Sequence, residues 1–240
     1  MIKLEKKESI YFLTMDAGEN RWNTTFVREI AKALDTIEDD EGQGALITSS
    51  TDSKFFSNGL DLEWMQAPED HPDGGDREVF GEEFMYLMGR FITLPIPTVC
   101  ALNGHTFGAG FMFALSHDFR IMREDRGFIC ANEMQLGLPI PRPELALFKH
   151  KIPANAFFET VQLSKRWTGA DALKAGIVQG VSSFEDLSEA ALRKAKELAP
   201  LANNRKNFGH QKEMLYGENA AINLAHGPAH MLKNSKYFEV

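Results

Sequence analysis

The sequence predicts an α/β fold in which short strands alternate with amphipathic helices. Ile10–Met15 is an apolar run of strand length, and residues 23–37 carry apolar side chains at helical spacing behind Asn23, a suitable N-cap. Residues 44–48 return to a strand pattern after the acidic residues and glycine that end this helix. A strand–helix–strand order is typical of layered proteins whose helices cover a sheet.

The same periodicities predict the other elements. Residues 1–7 precede Ile10–Met15 as an N-terminal strand or hairpin. Further strands are expected at residues 54–57, 98–102, 119–122, 128–131 and 177–178. Further helices are expected to begin at residue 61 and at residue 144, and to run from the Thr168 cap to Gly176. The other expected helices span residues 78–94, 111–115, 154–163, 189–198, 206–216 and 220–231. In the helix after Thr168, Ala172 and Leu173 are expected to face inward. Because no strand pattern returns beyond Ser188, we predict a core at residues 1–187 and a helical subdomain at residues 188–240.

Composition excludes several classes of function. A chain of 240 residues with 43% hydrophobic content suits one compact domain with a small appendage. The net charge of −8 argues against a nucleic-acid surface, which needs a basic face. Cys100 and Cys130 show neither metal-ligand nor redox-motif spacing, so reduced thiols are expected. No apolar run reaches membrane-spanning length, and residues 237–240 lack a Ser-Lys-Leu address, so a cytoplasmic protein without membrane insertion is expected.

The richest stretch for chemistry runs from residue 103 to residue 133. Gly108, Ala109 and Gly110 clear side chains from the start of an apolar helix, so backbone N–H groups there can meet an oxyanion. A strand at residues 128–131 then brings Glu133 into an otherwise uncharged neighbourhood, where a carboxylate is a candidate general base. These glycines alone are equally well explained by a plain strand–helix junction.

Other readings of this stretch are weaker. His105 and His117 have no nucleophile in a recognisable motif and form no metal pair, and His117-Asp118 is expected to cap the preceding helix. The spacing after Gly108 and Gly110 lacks the third small residue of a dinucleotide fingerprint. No metal site is predicted.

Taken together, the motifs resemble the crotonase superfamily of acyl-CoA enzymes, and most closely its Δ3,Δ2-enoyl-CoA isomerases. The matching segments are Asn103-Gly104, residues 108–110, His117-Asp118, Asn132-Glu133, residues 136–139, residues 54–61 and residues 168–178. The resemblance implies a spiral of ββα units followed by a C-terminal helical oligomerisation subdomain. It also implies assembly as a homotrimer or as a hexamer of two trimers.

The resemblance assigns residues to a site for an acyl-CoA thioester. The backbone N–H groups of Leu60 and Ala109 would form the oxyanion hole, with Ala109 replacing the glycine that the family usually carries. Substrate contacts are implied for five further residues: Asn58, Gly59, Gly108, Gly110 and Met112. Coenzyme A enters as part of the substrate, so no separate cofactor is expected. The helix at residues 78–94 has the composition of either core or an acyl-chain wall.

The number of carboxylates at the site distinguishes two activities within the superfamily. Hydratases carry one glutamate at the position of Glu133 and another where this chain has Met112, and a thioether cannot deprotonate water. Isomerisation needs one base: Glu133 would take the C2 proton of a 3-enoyl-CoA and return it at C4, its pKa raised by an apolar cage including Met112. The alternatives are a hydratase or related acyl-CoA enzyme that uses Glu144 as its second carboxylate, and a non-catalytic acyl-CoA-binding protein, against which the intact Glu133 argues.

Overall fold

The computed structural model describes residues 1–68, 76–217 and 226–238 as an α/β protein with two sheets. The strands are β1 (Ile2–Lys7), β2 (Ile10–Met15), β3 (Ala45–Ser50), β4 (Phe55–Ser57), β5 (Thr98–Leu102), β6 (His105–Phe107), β7 (Phe119–Arg123), β8 (Ile129–Cys130) and β9 (Gly180–Ser182). The helices are α1 (Thr24–Glu38), α2 (Leu62–Gln66), α3 (Arg77–Thr93), α4 (Ala109–Leu115), α5 (Arg142–Lys151), α6 (Ala154–Val161), α7 (Gly169–Lys174), α8 (Leu187–Leu198), α9 (Arg205–Tyr216) and α10 (Pro228–Lys233).

The larger sheet has six strands in the order β1-β2-β3-β5-β7-β9. β1 and β2 form the expected antiparallel hairpin, whereas the other neighbouring pairs are parallel. Parallel neighbours need a crossover connection, and α1 makes the first of them. The Asn23 side chain accepts a hydrogen bond from the Phe26 N–H, which confirms the predicted cap.

The smaller sheet consists of three short parallel strands, β4, β6 and β8. The sequence does not predict this sheet, because β6 is only three residues long and directly follows the Asn103-Gly104 turn. Its arrangement matters for function. The carboxyl ends of all three strands lie at one edge, so the segments that begin at Asn58, Gly108 and Ala131 emerge side by side.

The hydrophobic core fills the space between the two sheets and the helices. Phe113 of α4 lies at its centre, with its ring 5.0 Å from that of Trp22 and 4.8 Å from that of Phe91 in edge-to-face contacts. Every residue of α4 from Gly110 to Leu115 is buried. The helix that begins at the candidate oxyanion turn is therefore held rigidly from behind.

The structure corrects several details of the prediction. The strand expected at residues 177–178 begins only at Gly180, since Gly176 closes α7 with a left-handed φ of 75° and the chain needs a few residues to rejoin the sheet. Leu173 does not face inward but is 40% exposed. His117 does bind a helix carbonyl, that of Phe113, but Asp118 is no cap, because its carboxylate binds Thr98 and Lys212. Of the helix expected at residues 220–231, residues 220–225 lie outside the described residues, and the described part is helical from Pro228 onwards.

Three C-terminal helices pack on the rest of the chain. α8 lies on the larger sheet against β3, β5 and β7, α9 packs against α3, and α10 packs against α3 and α5. The described residues beyond 188 contain helices and no strand, as expected. The division at residues 187 and 188 stays a prediction.

Candidate active site

The first feature of the site is a pair of backbone turns. Gly59, with a φ of 83°, brings the chain so close to β6 that a β-carbon on it would lie 2.9 Å from the Phe107 carbonyl oxygen and 3.9 Å from the Ala109 nitrogen. A side chain at this position would therefore separate the two turns. Leu60 directly follows this glycine, so its N–H group lies in the turn next to Ala109.

Both candidate oxyanion donors lack a protein acceptor. The N–H groups of Leu60 and Ala109 donate no hydrogen bond to any described residue. The Leu60 turn is held on both sides by Trp22, whose N–H donates to Gly59 (2.9 Å) and whose carbonyl accepts from Asp61 (2.9 Å). The φ angle of Ala109 is not in the left-handed region, so an alanine fits this turn without backbone strain.

Glu133 lies beside the second turn. It begins a 3-10 helix, Glu133–Leu136, directly after β8. Gly108 leaves room for it: a β-carbon there would lie 3.1 Å from Glu133 Oε1 and 3.4 Å from Asn132 Oδ1. Glu133 Oε2 is buried without a hydrogen-bond partner among the described residues. Burial raises the pKa of this carboxyl group, against the weaker opposing effect of its own backbone N–H.

A cavity of about 430 Å³ joins these features, a size suited to a small-molecule site. Its lining contains seven of the predicted residues: Asn58, Gly59, Leu60, Gly108, Ala109, Met112 and Glu133. Gly110 does not line it. A β-carbon on Gly110 would lie 2.6 Å from Ser57 Oγ, so this glycine lets α4 pack closely on β4.

The remaining wall is apolar and comes largely from α3. Phe80, Phe84 and Met85 line the cavity, which makes the aromatic and methionine pattern of this helix part wall as well as part core. Leu138 and Pro139 close another side. Sequence periodicity identifies such residues as buried, but it does not show which of them border a cavity.

The lining also contains Arg21, which was not predicted, and Glu144, which the sequence offered only as the second carboxylate of the alternative hydratase. Arg21 borders the cavity, with its guanidinium 2.8 Å from the Glu19 carboxylate. Glu144, in the first turn of α5, is only 6% exposed and also lines the cavity. Burial, with a further contribution from the Glu133 charge, raises the pKa of Glu144 to about 8. Glu133 therefore shares its cavity with a second carboxyl group and with a cation that is already paired.

Other candidate groups fall outside the site. His117 is fully buried, and its ring bridges the Phe113 carbonyl and Thr48 Oγ1 at 2.8 Å each. His105 packs among aromatic rings of the smaller sheet and does not line the cavity. Within the described ranges, no group of three or more His, Cys, Asp or Glu is placed to hold a metal ion. No helix in the same ranges is both long and apolar enough to cross a bilayer.

The fold and the cavity define an enzyme of the crotonase type. The ends of three parallel strands supply two unpaired N–H donors and a desolvated carboxyl group around one pocket. The sequence model of the enoyl-CoA hydratase/isomerase family matches residues 5–224. The chain belongs to this family.

Individual relatives cover nearly the whole chain. Enoyl-CoA delta isomerase 2, peroxisomal, of Arabidopsis thaliana is 32% identical over 227 residues, which are 92% of this chain and 95% of the relative. Enoyl-CoA delta isomerase 1, peroxisomal, of the same plant is 33% identical over 91% of this chain and 90% of its own. Human mitochondrial delta3-delta2-enoyl-CoA isomerase has the same fold, with a TM-score of 0.82 at 24% identity over 98% of this chain and 87% of the human one.

Proposed function

We propose that the protein is a Δ3,Δ2-enoyl-CoA isomerase of fatty acid β-oxidation, which moves the double bond of a 3-enoyl-CoA thioester to the trans-2 position. One observation carries the proposal: Glu133 has an unpaired, buried carboxylate oxygen in the cavity that Leu60 and Ala109 line. Such a site can remove a proton next to a thioester carbonyl and stabilise the resulting anion.

The chemistry follows from these positions. The thioester oxygen binds between the N–H groups of Leu60 and Ala109, which makes the C2 proton acidic. Glu133 removes that proton, and the negative charge of the dienolate develops on the oxygen, where two donors meet it. Each such donor typically contributes ~2.7–4 kcal/mol to the transition state. In the simplest route, Glu133 alone then returns the proton at C4.

The residue at position 112 supports isomerisation over hydration. Met112 is buried in the cavity wall where hydratases of the superfamily carry a glutamate, so the two-carboxylate activation of water lacks one group. The names of the Arabidopsis relatives favour the same reaction. Glu144 keeps a hydratase as the second candidate, because it brings another carboxyl group into the same cavity.

The test is a pair of assays on the purified protein. A 3-enoyl-CoA should be converted to the conjugated 2-enoyl-CoA, detected by its ultraviolet absorbance, while a trans-2-enoyl-CoA should gain water slowly or not at all. Rapid hydration would identify a hydratase instead. Binding of both thioesters without turnover would identify an acyl-CoA-binding protein.

Assembly and location complete the proposal. Phe158 (61% exposed), Leu163 and Leu201 place large apolar side chains on the surface of the single chain, where self-association would cover them. We propose a homotrimer or a hexamer of two trimers, and light scattering that finds a monomer at micromolar concentration would contradict it. The cytoplasmic location stays a prediction, since two relatives are named as peroxisomal.

A further inference from the structure

The cavity contains a second carboxyl group for which the route with Glu133 alone has no use. Glu133 starts the 3-10 helix after β8, and Glu144 lies in the first turn of α5. Residues 137–141 connect these two segments, and Pro139 and Pro141 in the connection, with Pro143 in the first turn of α5, fix where α5 begins. The two carboxyl groups thus reach one cavity from two separate, rigid elements.

The surroundings of Glu144 keep it protonated at neutral pH. Its carboxyl group makes no hydrogen bond or ion pair with another described residue. Arg21 is the cation that the described residues contribute to the cavity lining, and its guanidinium is already paired with Glu19 at 2.8 Å. The first turn of a helix favours an anion, but burial and the Glu133 charge outweigh that effect and raise the pKa of Glu144 to about 8.

Glu144 is buried more deeply than Glu133, so of the two it is the group that keeps its proton, and Glu133 is left to accept one. Two titratable groups in one site whose environments separate their protonation states are the usual arrangement of a general base and a general acid. We propose that Glu144 is a catalytic residue, the general acid that protonates C4 of the dienolate. The proposal rests on the isomerase function above and changes only the step that ends the reaction.

Glu133 takes the C2 proton, and the electrons of the C2–H bond form the C1=C2 bond of the dienolate. As the C1=O bond reforms, the C1=C2 electrons move to C2=C3, and the C3=C4 electrons bond to the proton of Glu144. Glu133 is then neutral and Glu144 ionised, so one proton transfer between them restores the starting state.

The position of an isotope label separates the two routes. In a single turnover with excess enzyme in ordinary water, a 3-enoyl-CoA with two deuterium atoms at C2 is converted and deuterium at C4 of the product is measured by NMR. We expect no deuterium at C4 with the wild-type protein, because the proton comes from Glu144. If Glu133 returns the proton, deuterium appears at C4 and the proposal is overturned.

Glu144→Gln provides the second measurement. Since Glu133 must then serve both carbons, we expect kcat to fall about 10- to 100-fold with little change in KM, and deuterium to appear at C4. Glu78→Gln is the matched control, because Glu78 is an exposed glutamate in the first turn of α3 outside the cavity lining; its kcat should equal that of the wild type.

Each result decides the question. A Glu144→Gln protein with wild-type kcat overturns the proposal even if no label reaches C4. If the variant does not fold, deuterium at C4 of the wild-type product still overturns the proposal. A wild-type protein that converts 3-enoyl-CoA with transfer of label contradicts only the role of Glu144, whereas one that makes no 2-enoyl-CoA contradicts the proposed function as well.

Discussion

Two regions of the molecule bury carboxyl groups with opposite results. In the cavity, Glu133 and Glu144 lack charged or hydrogen-bonding partners on other described residues, and burial raises the pKa of each. Behind α4, Asp118 Oδ2 accepts hydrogen bonds from the Thr98 N–H (2.9 Å) and from Lys212 Nζ (2.7 Å). There burial also raises the pKa of the carboxyl group, but Lys212 and Lys151 outweigh it, and the pKa of Asp118 ends below its usual value.

The free-energy cost of burying a carboxylate is compensated in one of these regions and not in the other. A buried carboxylate costs several kcal/mol unless partners compensate for the lost water. Around Asp118 the chain provides those partners, and the result is a junction between the end of α4 and α9. In the cavity it leaves the cost uncompensated, which is the usual condition of groups that transfer protons.

The largest effect is expected from a substitution in the cavity, where the carboxyl groups have no partners. Glu133→Gln keeps the shape of the side chain but cannot accept a proton, so we expect isomerisation to fall by about 10³-fold or more. Binding of a saturated acyl-CoA, measured by calorimetry, should stay within a few-fold of the wild-type affinity. Near wild-type turnover in this variant would mean that Glu133 is not the base.

Asp118→Asn tests the region behind α4, where the buried carboxylate has partners. The substitution leaves Lys212, which is 4% exposed, without its counter-charge. Breaking a buried ion pair typically costs 3–5 kcal/mol, and because 24% of the Asp118 side chain is exposed we expect about 3 kcal/mol of lost unfolding free energy in urea. The kcat of the protein that remains folded should be nearly unchanged. A stability loss below about 1 kcal/mol would remove the distinction between the two regions.

The two regions should also respond to pH with opposite signs. Glu144 binds its proton more tightly when folded, from an ordinary pKa of 4.5 to about 8, so its contribution to stability is complete below pH 4.5 and is lost as the pH rises towards 8. Between pH 5 and pH 8.5, the wild type should lose roughly 4 kcal/mol of unfolding free energy relative to Glu144→Gln. The contribution of Asp118 is instead lost as the pH falls below its ordinary pKa. If urea unfolding gives the same free-energy difference between the wild type and Glu144→Gln at both pH values, the assignment for Glu144 is contradicted.

The comparison also shows what the sequence could and could not predict. That Leu60, Ala109 and Glu133 line one cavity was predictable, Leu60 and Ala109 through the family resemblance and Glu133 because it follows a strand in an otherwise apolar segment. The role of Asp118 was not, since its partner Lys212 lies 94 residues away along the chain. Glu144 was visible only as an alternative carboxylate, because nothing local shows that the first turn of α5 faces the cavity of Glu133. The smaller sheet was missed because β6 is too short to show a periodicity.

The smallest effect is expected from adding a third carboxyl group to the cavity. Met112 is buried in the cavity wall, where hydratases of the superfamily carry a glutamate. Met112→Glu should therefore raise hydration of a trans-2-enoyl-CoA from a feeble starting rate, by about 10-fold if water can enter and the new group faces C3. Met112→Gln is the matched control, since it adds a polar group without a base, and its hydration rate should stay at the wild-type level.

The same variant should slow isomerisation, and the reason is electrostatic. A new charge near Glu133 raises the pKa of one member of the pair, so the acidic limb of the kcat/KM profile should move to higher pH. Hydration and isomerisation can be followed separately by loss and gain of absorbance from the conjugated thioester. If the wild-type protein hydrates as fast as it isomerises, position 112 does not separate the two activities, and Glu144 becomes the candidate for the second carboxylate of a hydratase.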